Sequence, residues 1–293
     1  MTRHLVLACC LASVFAAGAC RRAAPAEEKT TQYEMRGQVI DVRPEVGEVR
    51  IKHEEIPGYM AAMTMSFAVK DRGLLAGRKA GDLVTGTLVV TDTDAWLSTL
   101  EKTGEAAVPA EPEESAPAPA FTLLEPGQAV PDEAFTDQDG RPWRPSALQG
   151  QAYALSFIYT RCPLPTYCPL MNRNFRAAQQ ALASRPDVAR RVRFVTVSFD
   201  PDFDTPAVLK THATAIGADL STWTFVTAPR EAVDAFASQF GVSVMRDPKT
   251  PGEITHNLRT AVVSPAGTIV KIYGGNEWKP AELVADLEAA ATR

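Results

Sequence analysis

In its first third the chain alternates apolar and polar residues at a period of two. Beyond that it carries strand-length apolar runs separated by helical periods. The segments 37–42 and 46–51 put apolar side chains on one face of short strands. Turn signals at Pro44 to Gly47, Pro57-Gly58 and Gly81-Asp82 separate them. Short strands at close spacing, with no helical period, predict a small all-β, OB-like antiparallel barrel over residues 32–102. Farther on, apolar runs at 154–159, 192–199 and 224–226 alternate with helical patterns at 170–184, 206–216 and 230–240. Two strands at 260–263 and 269–273 flank the turn Ser-Pro-Ala-Gly-Thr, and a last helix starts at Pro280. That alternation predicts an α/β sheet over residues 121–293, closed by an antiparallel hairpin and a final helix.

The length of 293 residues fits two such units. Residues 103–120, where Pro and Ala mix with Glu and Ser, read as an extended linker, and residues 21–31 as a tether. A net charge of −5 argues against a phosphate-seeking surface, so no nucleic-acid partner is expected. Residues 1–20 combine Arg3, an apolar run at 5–17 and Ala-Gly-Ala before Cys20. They read as an export signal, and the small residues before Cys20 resemble the lipobox of bacterial lipoproteins. That resemblance implies lipidation of Cys20 and a membrane tether on the periplasmic face. Of the five cysteines, Cys9 and Cys10 would leave with the signal. Cys162 and Cys168 remain as a pair that an oxidising compartment would join in a disulfide.

The pair stands in Tyr159-Thr-Arg-Cys162-Pro-Leu-Pro-Thr-Tyr-Cys168-Pro, after a strand and before a helix. Pro169 suits the first helical position, which makes Cys168 the expected N-cap. The helix dipole would then lower its pKa. A purely structural disulfide is the alternative. These residues resemble the Sco/SenC family of copper metallochaperones, together with Val197-Ser-Phe-Asp-Pro-Asp-Phe-Asp-Thr-Pro-Ala-Val-Leu-Lys and Thr255-His256-Asn. The resemblance implies a thioredoxin-like fold, copper held by Cys162, Cys168 and His256, and a part in assembling the copper centre of cytochrome oxidase. Most of that family has three residues between the cysteines; here there are five. Two thiolates and an imidazole suit Cu(I), with Cu(II) as the alternative at this site. His212 reads as solvent-facing, and Asp200 and Asp204 as helix caps.

A second cluster lies in the first unit, where His53 precedes Met60, Met63 and Met65. On a strand Met63 and Met65 share a face. A Met-x-Met pair alone is usually core filler. The segment is similar to the small periplasmic copper-binding domains of the CusF type, which implies Cu(I) held by His53, Met63 and Met65. Met60 stands where that type places a Trp over the metal, so it is a candidate fourth thioether.

The first expectation is therefore a membrane-tethered protein that passes Cu(I) from barrel to dithiol. Its partner would be a cytochrome oxidase subunit or another copper protein. The second is a thiol-disulfide oxidoreductase using the redox pair Cys162 and Cys168 without copper delivery. The third is copper sequestration. A peroxidase fits less well, because no Arg partner or general acid accompanies Cys162.

Overall fold

The computed structural model describes residues 29–108, 123–246 and 254–292. The expected leader and Cys20 with its expected lipidation, most of the expected tether and most of the expected linker lie outside the described residues. Among those described, no helix is long and apolar enough to cross a membrane.

The first unit consists of β1 (Thr31–Arg43), β2 (Glu48–His53), β3 (Met63–Ala68), β4 (Asp82–Val90) and β5 (Ala95–Glu105). All neighbours are antiparallel, in the order β3-β2-β1-β4-β5. Register shifts at Val39/Asp41, Leu83/Val84 and Thr87/Leu88 bend the strands, as bulges do. Gly37 and Gly86 permit close crossing: a Cβ there would lie 2.6 Å from the Lys52 carbonyl and 2.5 Å from the Thr99 carbonyl. The sheet therefore curls until its two ends meet through one parallel bridge, Val69 to Leu97. Met35, Val39, Ile51, Phe67, Leu88 and Leu97 fill the inside. The last strand continues to Glu105, into the start of the expected linker.

The second unit adds β6 (Phe135–Asp137), β7 (Pro142–Trp143), β8 (Ala152–Ile158), α1 (Cys168–Ala183), α2 (Pro186–Ala189), β9 (Val192–Ser198), α3 (Pro206–Ala215), β10 (Trp223–Thr227) and α4 (Arg230–Gln239). It ends with β11 (Val244–Arg246), β12 (Ile254–His256), β13 (Arg259–Val263), β14 (Ile269–Gly274) and α5 (Pro280–Ala291). Seven strands run in the order β14-β13-β8-β9-β10-β6-β7, with β8, β9 and β10 parallel and the outer strands antiparallel. Every residue of β8 is buried. This is why the strand reads as a continuous apolar run and not as an alternation. Each such large apolar side chain contributes roughly 1.5–3 kcal/mol by leaving water. The parallel central strands end beside the cysteine loop, and β11 and β12 pair separately to carry His256 to the same place.

Candidate metal centres

Cys162 and Cys168 bracket the turn from β8 into α1, and two buried aspartates fix where that turn begins. Asp204 accepts from the Thr160 N–H at 3.0 Å and from the hydroxyls of Thr160 and Ser198. Asp200 accepts from Arg161 Nε at 2.8 Å. Neither caps a helix: the α3 cap is Thr205, whose hydroxyl accepts from the Val208 N–H at 3.4 Å. The expectation of capping is corrected because both carboxylates turn inward to the loop. Burial pushes the Asp204 carboxyl up.

Cys168 is the first residue of α1, and the cap position belongs to Tyr167. The start of the helix therefore serves the other sulfur. A hydrogen bond from the Cys168 thiol, followed by contributions from His256 and the Cys168 backbone N–H, holds Cys162 well below the ordinary thiol range. Burial, then the neighbouring Cys162 sulfur, pushes Cys168 up. The lowered pKa expected at Cys168 is thus found at Cys162, because Cys168 is 1% exposed and next to an anion. Both sulfurs are free rather than joined as the disulfide expected of an exported pair.

His256 reaches this pair from β12. Its Nδ1 faces the Asn257 carbonyl at 2.9 Å and therefore donates, which turns Nε2 toward the sulfurs, 3.5 Å from Cys168 Sγ. Asn257 secures the turn, accepting from the Ser243 N–H and donating to the Gly241 carbonyl, each at 2.9 Å. Tyr159, Tyr167 and Phe199 surround the imidazole with ring centroids 5.6, 6.1 and 4.8 Å away. The ligand atoms of Cys162, Cys168 and His256 all lie within 4.8 Å of one another, a donor set that fits a soft cation.

The second group repeats the histidine device. His53 is 2% exposed, and its Nδ1 donates to the Glu54 carbonyl at 2.7 Å. Its Nε2 is buried with no hydrogen-bond partner among the described residues. Leaving such an atom unmatched costs about 1–3 kcal/mol, so the lone pair fits a ligand role. Burial lowers the His53 pKa, which keeps that nitrogen free of a proton. Met63 stands opposite His53 in the β2–β3 register, and Met65 follows on the same face. Met60, nearly buried, shares a cavity of about 300 Å³ with Met63, Tyr159, Arg161 and Pro163. The structure thus places Met63 next to each of the other three: opposite His53 in the register, in one cavity with Met60, and on one face of β3 with Met65.

The two groups face each other. A cavity of about 180 Å³ has Met63 and Met65 on one wall and Cys162, Tyr167 and His256 on the other. Tyr59 donates from the first unit to the Pro163 carbonyl of the cysteine loop at 3.1 Å. Burial, and next to it the Cys162 thiolate, push the Tyr59 hydroxyl up. Sequence reasoning missed Tyr59, Tyr167, the inward aspartates and Asn257. All of them stood within the segments that the two resemblances had singled out, but no local pattern marked their roles. His212 is half-buried, not solvent-facing, and its Nε2 lies 2.9 Å from Asn172 Nδ2.

Residues 125–292 match the family described as SCO1/SenC, and residues 32–102 match the one described as copper binding periplasmic protein CusF. A "SCO1 protein homolog" of Bacillus subtilis (strain 168) is 29% identical over 161 residues, which are 54% of this chain and 80% of that protein. Among solved structures, a SCO1/SenC family lipoprotein from Bacillus anthracis str. Ames is 27% identical, with a TM-score of 0.48 over 59% of this chain and 96% of that one. Arabidopsis thaliana ScoI with copper bound is 21% identical, with a TM-score of 0.49 over 56% of this chain and 99% of that one.

Proposed function

The chain belongs to the SCO1/SenC family, whose thioredoxin-like fold its second unit adopts, and from that premise we propose that it captures Cu(I) in the first unit and passes it to the second for delivery. The recipient is the copper centre of a cytochrome oxidase subunit or another copper protein. The site of action is the periplasmic face of a bacterial membrane, with the chain tethered through lipid on Cys20. One observation carries the reading: two sulfurs and an imidazole nitrogen within 4.8 Å of one another, opposite a wall of methionines.

In the first unit His53 Nε2 and the thioethers of Met63 and Met65 bind the cargo, with Met60 as a fourth donor. In the second, Cys162, Cys168 and His256 take it over. Cu(I) favours thiolates over thioethers, so the metal moves from methionine to cysteine. The ion stays Cu(I), and each thiol that becomes a ligand releases its proton to solvent.

Anaerobic Cu(I) titration tests this. The full chain should take two equivalents, and Cys162→Ser/Cys168→Ser and Met63→Ala/Met65→Ala one each. Unchanged stoichiometry in both variants sinks the proposal. The unequal thiols favour a second reading, thiol-disulfide exchange. There Cys162 attacks a partner disulfide, and Cys168 closes the Cys162–Cys168 bond and frees the partner's dithiol. Such exchange should survive His256→Ala, whereas copper retention at the dithiol should not.

A further inference from the structure

Five residues separate Cys162 from Cys168, and the first unit of the same chain is joined to their backbone at two places, once directly and once through Arg173. At one, the Tyr59 hydroxyl donates to the Pro163 carbonyl. At the other, the guanidinium of Arg173, on α1, joins three carbonyls: Pro165 at 2.8 Å, and Thr93 and Asp92 of the first unit at 3.2 and 3.4 Å. Pro163 and Pro165 have fixed φ and no N–H of their own, so they suit a stiff loop whose carbonyls accept from outside it. Between them Leu164 is buried, and Leu164 and Tyr167 line a cavity with Met65, Ser66 and Phe67 of β3. The sulfurs beneath are 8% and 1% exposed.

We infer that the segment between Cys162 and Cys168 is a docking platform for the chain's own N-terminal sheet, which covers the dithiol and holds Met63 and Met65 across a cavity from Cys162 and His256. The length of the cysteine loop then has a purpose. The loop offers one carbonyl to Tyr59 and a second to the Arg173 bridge, with an apolar side chain between them. While the sheet is docked, large thiol reagents and protein partners are kept from the cysteines. An ion crossing from methionine to cysteine would not enter bulk water. The cover does not depend on metal; the crossing rests on the copper reading above.

The test uses the reduced, metal-free full chain and two thiol reagents, iodoacetamide and a maleimide carrying a long polyethylene glycol. The measured quantity is the ratio of large-reagent to small-reagent rates, which cancels changes in thiolate content. In wild type this ratio should lie well below that of the same chain unfolded in guanidinium. Tyr59→Phe/Arg173→Ala removes the polar contacts without touching a sulfur or imidazole, and should raise the ratio about tenfold. Tyr59→Phe alone keeps the ring and the loop's own Arg173 contact, and should raise it by a smaller factor. A wild-type ratio equal to that of the unfolded chain overturns the inference, as does a ratio unmoved in both variants. Because no copper is present, failure here leaves the titration above standing, and the reverse also holds.

Discussion

His53 and His256 are set by one local device: each donates Nδ1–H to the carbonyl of the next residue, which leaves Nε2 buried and without a hydrogen-bond partner among the described residues in His53 and 3.5 Å from Cys168 Sγ in His256. Burial lowers the His53 pKa from its ordinary 6.5. As pH falls through that value the unfolded chain takes up a proton that the folded chain refuses. The contribution to stability is therefore complete above the unfolded value and is lost as pH drops toward the folded one. Burial gives His212 the same direction. His53→Gln should consequently lose less stability than wild type between about pH 7.5 and about pH 5.5, measured as urea midpoints of metal-free protein. An equal loss in both would refute a neutral buried His53. The cysteines differ in the other direction. With Cys162 held low and Cys168 raised, iodoacetamide at about pH 6.5 should label Cys162 first, as peptide mapping would show. Equal labelling would remove the asymmetry on which thiol exchange depends.

The entry of the cysteine loop is held by Asp204 across more than forty residues of sequence, from the β9–α3 connection. Asp204→Ala strips acceptors from the Thr160 N–H and two hydroxyls, so it should cost about 3 kcal/mol in chemical denaturation. It should also loosen Cu(I) at the dithiol. A loss below about 1 kcal/mol would mean that water replaces the carboxylate. This role was hidden because an aspartate just before a helix reads as a cap by local rules. Strands β8, β9 and β10 and helices α1, α3, α4 and α5 were legible, since their apolar periods are long enough to be distinctive. The hairpins β6–β7 and β11–β12 were not, because strands of two or three residues have no measurable period. The second of these carries His256, so the family motif, and not periodicity, pointed to that ligand.

Buried apolar residues of the two units belong to one continuous cluster, with Leu164 and Tyr167 of the cysteine loop and Met63 and Met65 of β3 packed in it. The reduced, metal-free chain should accordingly unfold in a single calorimetric transition, and Tyr59→Phe/Arg173→Ala should split it in two. Two transitions already present in wild type would count against a coupled pair. None of this coupling was legible beforehand. Tyr59 and Pro163 lie 104 residues apart, and a contact at that separation leaves no pattern in the neighbourhood of either. What local sequence did display was its trace, a cysteine loop two residues longer than the family's usual one. Because platform and cover belong to one polypeptide, each meets the other at an effective concentration on the order of millimolar. Affinity too weak to hold two separate proteins together would keep this cover closed most of the time, yet let it open often enough for a recipient to reach the cysteines. A contact of a few hydrogen bonds around a small apolar patch is of the right strength for that, and a tighter one would trap the cargo.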